Sequence, residues 1–452
     1  MNLVKYVDNL TIFLAVFMHL SVTAFQAFIG FGFLMFLPFC LSEKKRSINW
    51  RLILTAFIVQ NALFLIISYV PIINSGLSHV SKGVLNLLDY AGEGAKFAFG
   101  DFADMKKYGF VFLIVILPTL IFFGALIGAL YFFGVIQFII GVLAFVLRKT
   151  VKLSGVESLI LIADIFLGQT EGPIVIGPYI KSMTRSELAL AFTAGLANMS
   201  GSTLGIYLSF LSKGNPTESL IFANYLVTAG VMNAVSAIIF AKLLFPETDF
   251  ENVSSEKIKI TAHFNSSFIE SVFQGAITGM KIGATMITVL IAVISLVHMI
   301  DGVLGWFGGL IHINGYINSS TNGVFTSFSL EYILGQIFRV FAFFMGVNWG
   351  ETLNVGSLLG QKVAINEIIA YDSLGAMKSA KVISEHSIFI STFALGSFSN
   401  FSSIGISLGV LSVLAPTRQK ELTEIAWKCL FGAVLAGFMT AAIAGFWHGI
   451  LG

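Results

Sequence analysis

The sequence predicts an all-α integral membrane protein with about eight transmembrane helices, two re-entrant helical hairpins and interfacial helices. Of its 452 residues, 56% are hydrophobic and only 11% are charged, which leaves too few polar residues for a water-soluble exterior. Its 44 glycines suit helices that pack backbone to backbone in a bilayer. The formal net charge of +2 is too small for a nucleic-acid-binding surface. The composition therefore favours a multi-pass membrane protein.

Eight segments are long and apolar enough to cross the hydrocarbon core, which takes about 20 residues. They are Leu10–Leu41, Leu52–Val70, Gly109–Val146, Leu188–Leu211, Leu220–Phe245, Phe273–Ile311, Ile388–Val413 and Ile425–Leu451. The third is long enough for one tilted helix or for a span with an interfacial extension, and both alternatives stay open. Lys and Arg recur at alternate connections, which predicts that both termini lie outside.

Two features complete the outline of the membrane part. The first apolar run is predicted to be a retained helix and not a cleaved signal peptide, because it shows no convincing small-residue cleavage site. Between the second and third spans, Val80–Phe99 mixes apolar and charged residues at helical spacing and is too polar to cross. This segment is predicted to be an interfacial helix.

Two further segments are too short to cross and are predicted to be re-entrant hairpins. In the first, Val156–Leu167 is followed by the polar sequence GQTEGP and then by Ile174–Ile180. At 1.5 Å per residue, each half reaches only about midway into a core of about 30 Å. The second consists of Glu351–Lys362, a polar tip at Ile365-Asn366-Glu367, and a run from Ile368 to about Leu374.

Each hairpin precedes a span that small polar residues interrupt in the middle, at Gly195–Ser202 and at Gly396–Ser403. Aligning Asn198 with Asn400 makes the two units a weak internal repeat. Paired interruptions in corresponding positions indicate the binding site of a secondary transporter. The alternative is ordinary helix packing, in which Gly and Ser are common, but a carboxylate at each hairpin tip favours a site.

The two hairpin carboxylates, Glu171 and Glu367, need compensation, because an acidic side chain at bilayer depth costs at least about 2.5 to 3.5 kcal/mol. Each lies where a second half-helix begins, and the free N–H groups there favour negative charge. An ionised carboxylate only accepts hydrogen bonds, so its ligand should be rich in donors, like a sugar diol. Neighbouring residues add hydrogen-bonding groups and a flat apolar face: Gln169, Thr170, Asn400 and Phe398.

A coupling cation is predicted at the end of the first half-helix, where unpaired carbonyls meet the broken span. Asp164 lies one turn before that end, and Asn198 lies in the break. The alternative is that Asp164 is capped by backbone or paired with Lys181 or Arg185. No organic cofactor and no bound structural metal is predicted, because the histidines and the two cysteines lack ligand spacing.

Four runs resemble the concentrative nucleoside transporter family: PTLIFFGALIGALYFFGVIQ from Pro118, LGQTEGPIVIGPYIKSMTRSEL from Leu167, GQKVAINEIIAY from Gly360 and ALGSFSNFSSIGI from Ala394. The resemblance extends from roughly Phe31 to the C-terminus. It implies a homotrimer of inverted-repeat protomers that move nucleosides inward by an elevator-like shift. The expected division is 1–150 mainly scaffold with an interfacial helix near 80–99, 151–250 first hairpin and transport helices, 251–318 a long scaffold helix, and 319–452 second hairpin and transport helices.

The resemblance also implies roles for individual residues. Those of the first hairpin would contact the nucleobase: Gln169, Thr170 and Glu171. Those of the second unit would hold the ribose hydroxyls, with Phe398 lining the site: Glu367, Asn400 and Ser403. Sodium ligands in the family fall at Asp164, Leu167, Asn198 and Met199. Asp164 replaces an asparagine and Asn198 a serine, which leaves sodium and proton coupling both open.

The predicted function is therefore a cation-coupled symporter that imports nucleosides across the cytoplasmic membrane. The pair Gly168-Gln169 resembles members that accept a broad range or favour pyrimidines such as uridine. A membrane-embedded enzyme is disfavoured, because the sequence has no HExxH motif, nucleophile elbow or phosphate-binding loop. A transporter for another polar solute, a passive nucleoside channel and a receptor without transport remain as alternatives.

Overall fold

The computed structural model describes residues 22–103, 105–108, 111–213, 215–253, 267–321 and 323–451. In these ranges the chain forms α-helices and short 3₁₀ turns, with no strand. The part of the predicted first span before Val22 lies outside the described residues. The α-helices are α1 Val22–Leu41, α2 Trp50–Tyr69, α3 Pro71–Phe99, α4 Met105–Tyr108, α5 Phe112–Phe132, α6 Val135–Val151, α7 Gly155–Val175, α8 Arg185–Ala197, α9 Leu204–Ser212, α10 Pro216–Leu244, α11 Phe268–Leu310, α12 Ile313–Ser320, α13 Leu330–Phe344, α14 Thr352–Ala364, α15 Glu367–Ser379, α16 Glu385–Leu395, α17 Phe401–Leu414 and α18 Gln419–Leu451.

The helices confirm a multi-pass membrane fold. Within the described residues, 5 helices are long and apolar enough to cross a membrane unaided, or up to 6 if a pair bent by 104° counts as one span. The 5 correspond to α1, α2, α5, α10 and α18, and the bent pair joins the end of α11 to α12. The two predicted interrupted spans are each two helices, α8 with α9 and α16 with α17. With α11, these elements account for the eight predicted crossings.

Two boundaries differ from the prediction for clear local reasons. The long run Gly109–Val146 is divided at Gly134, whose φ of 75° ends α5 and starts α6, so it is one span followed by a separate helix. The predicted interfacial helix begins at Pro71 and not at Val80. Proline is favoured at the first helical position, because it has no N–H to leave unpaired there and its φ is already helical.

Helix α5 packs against α11 through glycines. A Cβ on Gly124 would lie 2.3 Å from the carbonyl oxygen of Gly275, and a Cβ on Gly279 would lie 2.1 Å from that of Leu120. The two backbones therefore touch, which only glycine permits. Helix α5 lies in the range 1–150 and α11 in the range 251–318, which are the two ranges predicted to be scaffold.

Helix α2, by contrast, packs on the helices that follow the broken spans. The fully buried Gln60 donates from Nε2 to the carbonyl of Met232 in α10 at 3.3 Å and to Oγ1 of Thr440 in α18 at 3.1 Å. Trp447 of α18 donates to Oδ1 of Asn61 at 3.0 Å. These contacts join α2 to both long helices, and the division into scaffold and transport parts stays a prediction.

The two repeat units have the same order of elements: a hairpin, a broken span and a long helix. Their broken spans begin with matching N-caps, Thr184 before α8 and Ser384 before α16. These caps are 200 positions apart, so the counterpart of Asn400 is Ser200. The predicted alignment of Asn198 with Asn400 is wrong by two residues: Asn198 follows the end of α8, whereas Asn400 is the N-cap of α17.

Candidate binding site between the two hairpins

The first hairpin reverses at one residue, Gly168. Its φ of 76° and ψ of −174° lie where only glycine is comfortable, and a Cβ there would lie 2.9 Å from Cβ of Ser200 in the break between α8 and α9. Helix resumes directly after Gly168 and runs to Val175, so the second half begins earlier than the predicted Ile174. The tip of the first hairpin therefore contacts the break between α8 and α9.

The second hairpin turns at Ile365 and Asn366, as predicted. Asn366 is the N-cap of α15, with its Oδ1 accepting from the backbone N–H of Ile369 at 3.0 Å. Glu367 is the first residue of α15, and its carboxylate therefore lies at the positive end of that half-helix. The predicted position of Glu367 is confirmed by this geometry.

The carboxylate of Glu367 is the centre of a buried hydrogen-bond network. Its side chain is 3% exposed. Oε2 accepts from Nδ2 of Asn400 at 3.0 Å, and Oε1 accepts from the hydroxyl of Tyr207 at 3.3 Å. Oδ1 of Asn400 accepts from the backbone N–H of Ser403 at 2.9 Å, which caps α17. The network thus joins the second hairpin to both broken spans.

Gln169 extends this network from the first hairpin. Its Nε2 donates to Oγ of Ser403 at 3.3 Å, and its Oε1 accepts from Oγ of Ser407 at 3.0 Å. A continuous path of polar groups therefore runs from Gln169 through Ser403 and Asn400 to Glu367. Four residues predicted from three separate motifs lie together in one buried cluster: Gln169, Glu367, Asn400 and Ser403.

Of the remaining residues predicted to bind the substrate, the structure describes the side chain of Phe398 but not those of Thr170 and Glu171. Phe398 is buried, and its backbone N–H donates to the carbonyl of Asn198 at 3.1 Å, so the two breaks are hydrogen-bonded to each other. The side chains of Thr170 and Glu171 lie outside what the structure describes, although their backbone belongs to α7. Their predicted contacts with a base stay predictions.

Asp164 is fully buried in the first half of α7. Neither of its carboxylate oxygens has a hydrogen-bond partner among the described residues. A Cβ on Gly172 would lie 2.0 Å from Oδ1, and a Cβ on Gly195 would lie 3.9 Å from Oδ2, so two glycines leave room for this carboxylate. Arg185, the alternative partner, instead pairs with Glu43 at 3.0 Å.

Asn198 follows Gly195 by three residues and is equally buried, and neither atom of its amide has a partner in the described part of the chain. Leu167 and Met199, the predicted carbonyl ligands, are buried beside them in sequence. Polar groups buried without partners are costly, and a carboxylate most of all. Carboxylate and amide oxygens are donors that suit a hard cation such as Na⁺, and a carboxylate can also take up a proton.

Sequence reasoning missed three polar residues at the site: Tyr207, Ser407 and Lys362. Tyr207 also stacks on Tyr371, with ring centroids 4.4 Å apart. Nothing in an apolar helix marks a single tyrosine or serine as a site residue. Lys362 did give a signal, because an ionisable residue within a membrane segment points to function by default.

Three models of known families match the chain along most of its length. Residues 29–102 match the Na⁺ dependent nucleoside transporter N-terminus, residues 113–214 match nucleoside recognition, and residues 225–445 match the Na⁺ dependent nucleoside transporter C-terminus. The matched ranges contain the hairpins, both broken spans and the glycine-packed pair.

Relatives and solved structures agree with these matches. The chain is 32% identical to the nucleoside permease NupC of Helicobacter pylori, over 93% of this chain and 97% of that protein. It is 35% identical to the uncharacterized transporter YutK of Bacillus subtilis, over 90% and 96%. The structure of CNTnw in an inward-facing, substrate-bound state matches with a TM-score of 0.84 at 34% identity, covering 95% of this chain and 99% of that one.

Proposed function

The chain belongs to the concentrative nucleoside transporter family and is a cation-coupled nucleoside transporter of the membrane, not an enzyme, and we propose that its nucleoside binds between the two hairpin tips. In this proposal Glu367, Asn400 and Ser403 hold the ribose, and Gln169, Thr170 and Glu171 face the base. Phe398 lines the site.

One observation carries this proposal: the buried path that runs from Gln169 to Glu367. Its acceptors are a carboxylate and amide oxygens, and its donors are amide and hydroxyl groups, which together match the diol of a ribose and the polar edge of a base. In the path as it stands, these groups satisfy one another. A nucleoside that enters exchanges these contacts for its own, at little cost in unpaired polar groups.

The substrate site is tested by Glu367→Gln and Asn400→Ala in proteoliposomes that take up labelled uridine. Loss of a charge-assisted contact should lower uptake about 10- to 100-fold. Asn61→Ala, which breaks a hydrogen bond between α2 and Trp447 of α18, is the matched control and should keep most of its uptake. Near-normal uptake by both site variants, with folded protein, would overturn the site.

The cation site is proposed at Asp164 and Asn198, with backbone carbonyls of Leu167 and Met199. The support is the pair of buried side chains without partners, which a cation would satisfy. The acidic residue can hold Na⁺ directly or take up a proton itself, and the gradient that drives uptake decides between the two. When it is bound, the cation supplies the positive charge that makes a buried Asp164 carboxylate tolerable.

The proposed assembly is a homotrimer in the cytoplasmic membrane. Helices α5 and α11 would form the scaffold, while the hairpins, both broken spans, α10, α18 and the attached α1 and α2 would move as an elevator-like body. Large apolar side chains on α11 are exposed and would face lipid or neighbouring protomers: Ile291, Met299, Val303 and Trp306. Native mass measurement in detergent tests the trimer, and a monomer would contradict it.

A further inference from the structure

Lys362 is a fully buried lysine in α14, the first half of the second hairpin. Its Nζ donates to the carbonyl oxygen of Ala394 at 2.7 Å. Ala394 lies in the last turn of α16, immediately before the break in that span. The ring of Phe438 from α18 lies 5.7 Å from the same ammonium group.

No carboxylate forms a salt bridge with this ammonium: among the described residues, no acidic oxygen lies within 4.0 Å of Nζ of Lys362, and the carboxylate of Glu367 attracts it only from a greater distance. The other lysines that are mostly buried do have acidic partners, since Lys242 pairs with Glu157 and Lys378 pairs with Glu218. An unpaired buried charge is expensive. Lys362 is held instead by a carbonyl at the negative end of a half-helix and by the face of an aromatic ring.

The position of Lys362 parallels that of Asp164. Each lies about one helical turn before the turn of its hairpin, and each faces the last turn of the first half of the following broken span. Each also lies against a glycine, which is Gly437 of α18 for Lys362 and Gly172 of the same hairpin for Asp164. A Cβ on Gly437 would lie 3.2 Å from Nζ of Lys362, just as Gly172 leaves room for Asp164.

We propose that the ammonium group of Lys362 is a tethered cation, which fills in the second repeat the place that the coupling cation takes in the first. This inference rests on the proposed cation site at Asp164. Its consequence is that one repeat exchanges its cation in each transport cycle, while the other carries a cation that cannot leave. The fixed charge then serves to hold the end of α16 in place beside Asn400 and Glu367.

The test compares Lys362→Ala, which removes the ammonium and leaves a space, with Lys362→Met, which fills the same space without a charge. Uptake of labelled uridine should fall about 10- to 100-fold in both variants, because a hydrogen bond from a charged group is lost. Adding methylammonium should restore uptake several-fold in Lys362→Ala and not in Lys362→Met. Full uptake by Lys362→Met, or equal responses of the two variants to the amine, would overturn the proposal.

Binding of the amine can also be measured without transport. Methylammonium should raise the unfolding temperature of detergent-solubilised Lys362→Ala and leave that of Lys362→Met unchanged. Lys362→Ala combined with Gly437→Ala, which narrows the space, should lose this shift. The absence of any shift in Lys362→Ala would contradict a cation site, even if that variant does not transport.

The same assay separates the two proposals. Asp164→Asn with unchanged ion dependence would overturn the exchangeable cation site of the first repeat. Failure of the amine to rescue Lys362→Ala would overturn the tethered cation alone. Either result can occur without the other.

Discussion

The two repeats have the same order of elements but differ in the buried ionisable residue that precedes each hairpin turn. In the first, Asp164 is a buried carboxyl group with no partner among the described residues. In the second, Lys362 is a buried positive group that is satisfied by a carbonyl. In our proposal, the first repeat therefore binds a cation from solution, whereas the ammonium group of Lys362 takes that place in the second.

This difference means that two repeats with the same order of elements need not both bind a coupling cation. A buried carboxylate without a partner is stable only when a cation or a proton accompanies it, so the proposed site in the first repeat favours cation binding. A buried lysine bonded to α16 keeps the second hairpin and its broken span together. The proposed nucleoside site, centred on Glu367, contacts both repeats, because this carboxylate accepts from Tyr207 of the first and from Asn400 of the second.

The largest expected effect in this comparison comes from Gly172→Ala. The added methyl group would lie 2.0 Å from Oδ1 of Asp164, so the carboxylate must turn away from its position. The cation concentration for half-maximal uptake should rise about 10- to 100-fold.

The matched variant in the second repeat is Gly437→Ala. Its methyl group would lie 3.2 Å from Nζ of Lys362, which has a longer and more flexible side chain, so it should leave the cation dependence near that of the wild type. Uptake measured against Na⁺ concentration and pH checks both variants. Equal cation dependence in Gly172→Ala and the wild type would break the comparison.

A smaller effect is expected for Tyr207→Phe, which tests the contact between repeats. Tyr207 belongs to the first broken span, yet its hydroxyl donates to Glu367 of the second hairpin. Loss of this 3.3 Å hydrogen bond should weaken uridine binding about threefold to tenfold while the ring stacking on Tyr371 remains. Equilibrium binding of uridine checks this, with Tyr225→Phe as a control in which the affinity should not change.

The smallest effect is expected at Glu43, which lies in the connection between α1 and α2 and pairs with Arg185 and Lys428. Burial alone raises the pKa of Glu43, but hydrogen bonding and attraction to Arg185, together with the charge of Lys428, outweigh it and lower the pKa from its ordinary value of 4.5. A lowered folded-state pKa means that the stabilisation is complete above the unfolded-state pKa. It is lost as the pH falls through the folded-state value.

Glu43→Gln should therefore lower the unfolding free energy by only about 0.2 to 1 kcal/mol at neutral pH and by less in acid. Thermal unfolding at neutral and acidic pH measures this difference. Glu93→Gln, in an exposed pair with Lys96 on α3, is the control and should show no change. A larger loss of unfolding free energy in acid than at neutral pH would contradict a lowered pKa of Glu43.

Much of this arrangement could be predicted from sequence, because the signals are local. Half-length apolar runs, polar tips and small residues inside spans predict the hairpins and breaks without knowledge of distant contacts. The position of Glu367 at a half-helix N-terminus follows from the same local pattern. The family resemblance added roles that spacing alone could not assign.

The parts that could not be predicted depend on contacts between distant segments. Tyr207 becomes a site residue only because α9 lies beside the second hairpin, 160 residues further along the chain. Gln60 places α2 with α10 and α18 through hydrogen bonds across 172 and 380 residues. The shift of the repeat alignment required the observed N-caps, because two asparagines in similar polar runs look equivalent until their helices are seen.

We propose that the first repeat holds the exchangeable cation at Asp164. The direct measurement is uptake of labelled uridine into proteoliposomes under an imposed Na⁺ gradient or pH gradient, for the wild type and Asp164→Asn. We predict that one gradient drives accumulation in the wild type and that Asp164→Asn changes this ion dependence. The same ion dependence in both proteins would contradict the account.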